Sequence, residues 1–508
     1  MARSSRSDAG RSLAELLGEH GGRLPAAAAA PEQVGRRAEY DLIRPAAPAR
    51  GHRQRGFGWS PIPAPLTAYR ASTAEIGGVF PLLTANGLPP TGALLGYDSL
   101  TSGGFYCDPI GWLLDGVVTN PNMIFFGKPG AGKSTTIKAF LLRMMMFGAR
   151  TLVAGDVKGE YEKVCTAVGV QPIALGLGLG ARINPLDLGP LGQGWGTLPV
   201  EERRTRASLI FARWVVLLKA LVGARGVPVT PADENAMSTV LAELSGWSRG
   251  EGHLTTVTIP QVHDMLARPT EELARQCRYA TTQQMIDETR QVTDALGSLV
   301  RGALAGLFDD FTNINLDWNA PIQSLSLQRL DDLGDEVVGI ALACVNSWSR
   351  AQTDMRRPGE ITIVVRDEVW RQMRLGVGAV QSLDADLRLS RNDGEIQVII
   401  AHKPSDLLSV GAAGSQEVTI ARDMMALCDT KVMFAQDPGI ADELSELVGL
   451  GDIARDWVSG WARQRHGRAV WKVGDRLFKV TTVRTPVEIP LLDTNTALVA
   501  ETAKAPVP

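Results

Sequence analysis

The chain has 508 residues, 44% of them apolar and 21% charged, with a net charge of −3. That length allows two or three domains, or one large α/β domain with an insertion, and the composition is that of an ordinary globular protein. The near-neutral balance excludes a global electrostatic footprint for nucleic acid. The five scattered cysteines exclude a disulfide framework or a cysteine metal cage and read as reduced thiols in a cytosolic protein.

No run of about 18 uncharged apolar residues is present, and the most apolar helical stretch, 209–223, is broken by Arg213 and Lys219. No apolar signal-peptide core follows the N-terminal arginines. These features predict a chain that does not itself span a membrane and works on the cytoplasmic side. Residues 1–58, rich in Ala, Arg, Gly and Pro, read as a disordered basic tail. A basic arm touching lipid head groups or DNA is the competing reading.

From 59 to 121, short apolar runs punctuated by Gly and Pro predict strands and turns at a sheet edge. An apolar run at 123–126, a Gly-rich loop, a helical segment at 135–146 and a second strand at 151–154 form a βαβ unit of a parallel sheet. Residues 198–300 break the alternation. Helical spacing at 201–221, 233–244 and 282–303, with a Pro-introduced segment at 260–266, predicts a helical insertion. The sheet resumes at 322–327, 361–365, 397–401 and 431–434, so the α/β domain is predicted over 59–197 and 301–490. Residues 491–508 read as a loose tail.

Gly127-Lys128-Pro129-Gly130-Ala131-Gly132-Lys133-Ser134 fits the phosphate-binding pattern G-x-x-x-x-G-K-[ST] at every fixed position, directly after a strand and opening a helix. The glycines let backbone N–H groups wrap the phosphates, and the helix start, with Thr135, adds partial positive charge. Lys133 is the candidate for the β- and γ-phosphates, and the Ser134 hydroxyl for Mg²⁺. The cofactors expected are therefore ATP and Mg²⁺. A chance glycine turn is the competing reading, and the strand–loop–helix context weighs against it.

The strand at 361–365 runs through Arg366 into Asp367 and Glu368, two adjacent carboxylates. Asp367 is the candidate Mg²⁺ ligand and Glu368 the general base that orients the attacking water. Adjacent residues leave a strand on opposite sides, so the two acids can serve different roles. His402, after the strand at 397–401, is a candidate γ-phosphate sensor; a solvated strand-end histidine is the alternative. Asp156, Lys158 and Glu160 follow the strand after the P-loop helix, where ligands collect or where a charged surface turn would lie. Arg388 and Arg391 are candidate fingers reaching a neighbouring subunit's ATP, or ordinary surface arginines.

With these residues in view, the chain resembles the ATPase domain of VirB4-type conjugation and type IV secretion ATPases, in the FtsK/HerA branch of RecA-like P-loop motors. The resemblance runs from about Pro81 to Glu488. It is carried by Asn120-Pro121-Asn122, Gly155-Asp156-Val157-Lys158-Gly159-Glu160-Tyr161, Ile183-Asn184-Pro185-Leu186, Thr258-Ile259-Pro260-Gln261-Val262, Gly306-Leu307-Phe308-Asp309 and Lys403-Pro404-Ser405-Asp406-Leu407. Two positions depart from the family: His402 stands where Gln is usual, and Arg391-Asn392 where an Arg-Lys pair is usual. Relatives also carry a large N-terminal docking domain, whereas only residues 1–80 precede the similarity here.

The resemblance implies a RecA-like α/β fold with a mostly parallel sheet and a helical insertion. It implies a homo-oligomer, a hexameric ring with ATP between subunits, at the inner face of a membrane beside membrane-embedded secretion channel proteins. DNA or a relaxase–DNA complex is a further candidate partner. A DNA pump of the coupling-protein or translocase kind, and a structural ring subunit without significant turnover, are the alternatives to a secretion motor.

Overall fold

The structure, a computed structural model, describes residue 50 and residues 87–493, apart from 193, 251, 315, 316, 318, 355–358 and 413. The basic tail predicted for 1–58 (residue 50 apart), the first strands predicted from 59 to 86, and residues 494–508 of the tail lie outside the described residues.

Eleven strands form one sheet in the order β2-β1-β11-β10-β9-β3-β8-β7-β4-β6-β5. Their ranges are β1 Ala93–Asp98, β2 Gly104–Cys107, β3 Met123–Phe126, β4 Arg150–Asp156, β5 Ile173–Ala174 and β6 Ile322–Ser326. The remainder are β7 Thr362–Arg366, β8 Glu395–Ala401, β9 Thr430–Phe434, β10 Arg468–Val473 and β11 Arg476–Thr482. From β9 to β5 every pairing is parallel. The four strands beyond β9 are antiparallel. The α/β class and the mostly parallel sheet expected from the sequence are therefore found. The β10–β11 hairpin, turning at Gly474 and Asp475, was not anticipated.

The central strands are apolar at successive positions because both faces are covered. Met123 and Phe125 pack on one face with Val153, Ile363, Val365 and Val398. Ile124 and Phe126 pack on the other with Ile399 and Val380. All are buried, and each such side chain contributes about 1.5–3 kcal/mol on leaving water. A third cluster joins Leu152 and Val364 to the helical segment that follows Val200.

That segment contains helices Val200–Ala224, Pro231–Ser245, Ile259–Ala267, Glu271–Gln276, Thr282–Glu288 and Arg290–Arg301. Two starts are fixed by capping boxes, Thr230 with Asp233 and Thr258 with Gln261, each with proline in the first turn. Helix Val200–Ala224 is long and apolar enough to cross a membrane. Here it buries Ala207, Ile210, Trp214, Leu217, Leu218, Leu221 and Val222 in the third cluster, the packing of a core helix. Asn184 ties the base of the segment down by donating its side-chain amide to the Val257 carbonyl at 2.8 Å, and the Ile183 N–H donates to Leu307 at 2.9 Å.

Candidate nucleotide site

Strand β3 ends at Phe126 and helix Lys133–Met144 begins seven residues later. The loop between them turns through Gly130 and Gly132, whose φ angles of 76° and 102° suit glycine. A Cβ on Gly132 would meet the Gly467 nitrogen at 2.7 Å, so this position also needs glycine for close approach. The loop is braced from both flanks. Gly127 N–H donates to the His402 carbonyl at 3.1 Å on the β8 side. On the β10 side, Gly467 N–H donates to Ala131 at 3.1 Å, and His466 Nδ1 lies 2.6 Å from the Gly130 oxygen.

Lys133 is buried and folds over this loop, donating to the carbonyls of Gly127 and, at 3.2 Å, Lys128, with His402 Nδ1 at 3.3 Å. Burial lowers its pKa to about 8. Lys128 itself pairs with exposed Asp437. Ser134 and Thr135 occupy the first turn of the helix and are part-buried.

Two strands away, β7 delivers Asp367 and Glu368 to the same carboxyl edge of the sheet. Asp367 is buried, and burial with Glu368 beside it pushes its carboxyl up to about 7. One of its oxygens accepts the Glu368 N–H at 2.9 Å. Glu368 adopts left-handed backbone angles, φ 51° and ψ 31°, which turn its side chain back towards the P-loop flank. There Lys158 donates to Oε1, His402 Nε2 approaches Oε1 at 3.2 Å, and Trp370 Nε1 donates to Oε2 at 2.6 Å. Burial opposes ionisation of Glu368, yet the His402 and Lys158 contacts outweigh it and hold the carboxyl well below its usual range.

Lys133, His402, Glu368 and Lys158 thus form one connected chain of side chains, with Asp367 adjoining it. His402 is not a free strand-end histidine, and its carbonyl accepts from Gln436 Nε2 at 2.6 Å. Of the acidic and basic residues after β4, Lys158 enters the site, whereas Asp156 is buried structure. Asp156 accepts the backbone N–H groups of Glu160 and Tyr161, both at 2.9 Å, and burial pushes it up to about 6. The candidate arginines stay away from this cluster. Arg388 pairs with Asp384 on its own helix at 2.7 Å. Arg391 is exposed in the turn that enters β8, whereas His402 leaves the far end of that strand, about 20 Å along it.

Trp370, Gln436, His466 and Gly467 were not singled out from the sequence. Trp370 had a local signal, two residues past a candidate base. The other three come from the β9–β10 side, which sequence spacing does not connect to the loop.

Among the described residues no cluster of three or more His, Cys, Asp or Glu side chains could hold a metal. The donor set fits Mg²⁺ held jointly with phosphates: a buried carboxylate, Asp367, whose one described hydrogen bond comes from a backbone N–H, and a serine opening the P-loop helix.

These elements define a P-loop α/β fold. No protein-family model and no curated protein matches the chain. Among solved structures, the chain is similar to VirB4 of Thermoanaerobacter pseudethanolicus, with 20% identity and a TM-score of 0.64, over 80% of this chain and 100% of that one. It therefore has the VirB4 fold. A weaker likeness is to the plasmid coupling protein TrwB in complex with ADP and Mg²⁺, with 13% identity and a TM-score of 0.48, over 73% of this chain and 87% of that one.

Proposed function

We propose that this chain is a Mg²⁺-dependent ATPase and the motor of a conjugation or type IV secretion-like system. The reading is supported above all by the convergence of Lys133, His402 and Lys158 on Glu368, beside Asp367 and at the flank of an intact P-loop. Residues 127–135 hold the phosphates of ATP through backbone N–H groups, and Lys133 leaves the loop carbonyls for the β- and γ-phosphates. Ser134 and Asp367 hold Mg²⁺, which when bound neutralises charge on the phosphates. Glu368 orients the attacking water and accepts its proton, with its carboxylate aimed by Lys158, His402 and Trp370.

The secretion assignment has separate support, in the resemblance of the quoted sequence segments and in the VirB4 fold over that chain's full length. On this reading the protein works as a hexameric ring at the inner face of a membrane, against membrane-embedded channel proteins.

Steady-state ATPase activity of the wild type against Glu368→Gln tests the enzymatic part. We expect turnover to fall by about 10²–10⁴-fold while ATP binding is retained. Wild-type protein that binds ATP as an assembled ring without turnover would instead be a structural subunit. Strong stimulation by added DNA would move the assignment to a DNA pump.

A further inference from the structure

Helix Val200–Ala224 lies against both helix Asp335–Asp354 and helix Val377–Leu389. Where the three meet, many of the facing positions are small: Ala212 and Ala220 on the first, Ala343 on the second, and Gly378, Ala379 and Ala385 on the third. Side chains this short leave the space between the helices unfilled, and a cavity of about 480 Å³ results. None of its lining residues belongs to the nucleotide site.

We infer that this cavity is a binding site for a small neutral molecule, an apolar body carrying one hydrogen-bond donor, in the manner of a medium-chain alcohol. Small-molecule sites occupy roughly 300–1,000 Å³ and are apolar apart from a few placed polar groups, and this cavity matches both features. Leu209, Val216 and Leu389 line it and are 54%, 45% and 47% exposed. An apolar ligand that covers them removes their surface from water, which is the source of its binding energy.

The polar groups set the rest of the ligand's chemistry. Asn346 and Ser347, adjacent on helix Asp335–Asp354, both line the cavity. Asn346 gives its side-chain N–H to Gln372, while its Oδ1 is buried with no partner among the described residues. Ser347 Oγ is buried and unpartnered in the same way. A hydroxyl on this helix can bond back to the preceding turn, as Ser349 does to the Asn346 carbonyl at 3.1 Å, and Ser347 does not. Buried polar atoms left without a hydrogen bond are rare in native proteins, and two side by side call for a donor.

The charged groups on the walls are already matched. Lys219 pairs with Glu234 at 2.7 Å, and Arg350 pairs with Asp386 at 3.1 Å and Asp393 at 3.3 Å. Arg213 donates to the Asp187 carbonyl at 3.3 Å. A charged ligand would lose its water here and compete for partners already engaged, so the site favours a neutral one.

The test titrates the full chain with octan-1-ol, and with octanoate as a charged probe of the same chain length, by calorimetry. Octan-1-ol should bind at one site, and octanoate about tenfold more weakly. Ala385→Trp fills the cavity from an exposed position and should abolish octan-1-ol binding. Ala212→Trp does the same from the facing helix, should the first variant not fold. Ser347→Ala should weaken octan-1-ol about fivefold, the scale of one neutral hydrogen bond, with thermal unfolding as in the wild type. Octan-1-ol that fails to bind, or that binds the folded tryptophan variants as it binds the wild type, overturns the site and leaves the exposed leucines to a macromolecular partner. Octanoate that binds as tightly as octan-1-ol, or Ser347→Ala at wild-type affinity, overturns the assigned ligand class.

Discussion

Glu368 is one of three non-glycine residues with positive φ among those described. Such a conformation costs of order 1–3 kcal/mol and persists only where its surroundings enforce it. Here the enforcing contacts are the Asp367 carboxylate on its N–H and three donors on its side chain. Lys158 is the cation among them that reaches in from an exposed turn, so its removal leaves a buried carboxylate held by His402 and Trp370 alone. Lys158→Met is expected to lower kcat about tenfold at unchanged ADP affinity, with recovery in Lys158→Arg; a kcat at the wild-type value would show that Lys158 does not position Glu368. Residues defined by a contiguous motif were legible from sequence: the loop 127–135, and Asp367–Glu368 at a strand end. Lys158 stood in a quoted segment, but nothing in the spacing distinguished it from Asp156. Only the fold shows one turning inward to the peptide backbone and the other to Glu368.

The same limit holds for elements. Parallel strands buried on both faces announce themselves as unbroken apolar runs, which is why β3, β7, β8 and β9 were found within a residue or two. The β10–β11 hairpin is half-covered, with polar residues at Lys472 and Lys479 among its apolar ones. Its Gly474-Asp475 turn between two alternating runs was nevertheless a readable hairpin signal. Its importance lies in what it docks. Beyond β11, Glu488 receives Arg143 from the P-loop helix through Nε at 2.8 Å and Nη2 at 2.7 Å, and both side chains are largely buried. Burial raises the Glu488 pKa, but the Arg143 pairing and the Thr485 hydrogen bonds outweigh it, so the folded-state value lies below the usual range. A depressed carboxylate pKa means stability that is complete above the unfolded value, near 4.5, and is lost as pH falls below it. Glu488→Gln should therefore cost about 2 kcal/mol in denaturant unfolding at pH 7, and the gap from wild type should narrow below about pH 4.5. A gap independent of pH would mean that the ion pair is not the source of the stabilisation.

At the scale of the whole molecule, the proposed ring sets what meets the site from outside the chain. Within one subunit the phosphate end has Lys133, Lys158 and His402 as cationic or polar groups, all on the carboxyl edge of the sheet. Arg391 lies at the opposite edge, exposed and far from its own P-loop. Its position suits a group that acts on a second copy, with the ring proposed above bringing one subunit's entry edge of β8 against the next subunit's P-loop. In such a ring each active site would draw Glu368 from one copy and Arg391 from another. Arg391→Ala and Glu368→Gln should each abolish turnover alone. Co-assembled in equal amounts, they should recover activity, since about a quarter of random junctions carry both intact residues. Recovery measured as ATPase rate against mixing ratio should peak near equal proportions and vanish at either end. Mixtures that stay inactive although the rings form would place Arg391 outside the active site, as would an Arg391→Ala protein with undiminished turnover. Turnover that rises with protein concentration in the wild type, up to the point where assembly is complete, would be the accompanying sign that the monomer is an incomplete enzyme.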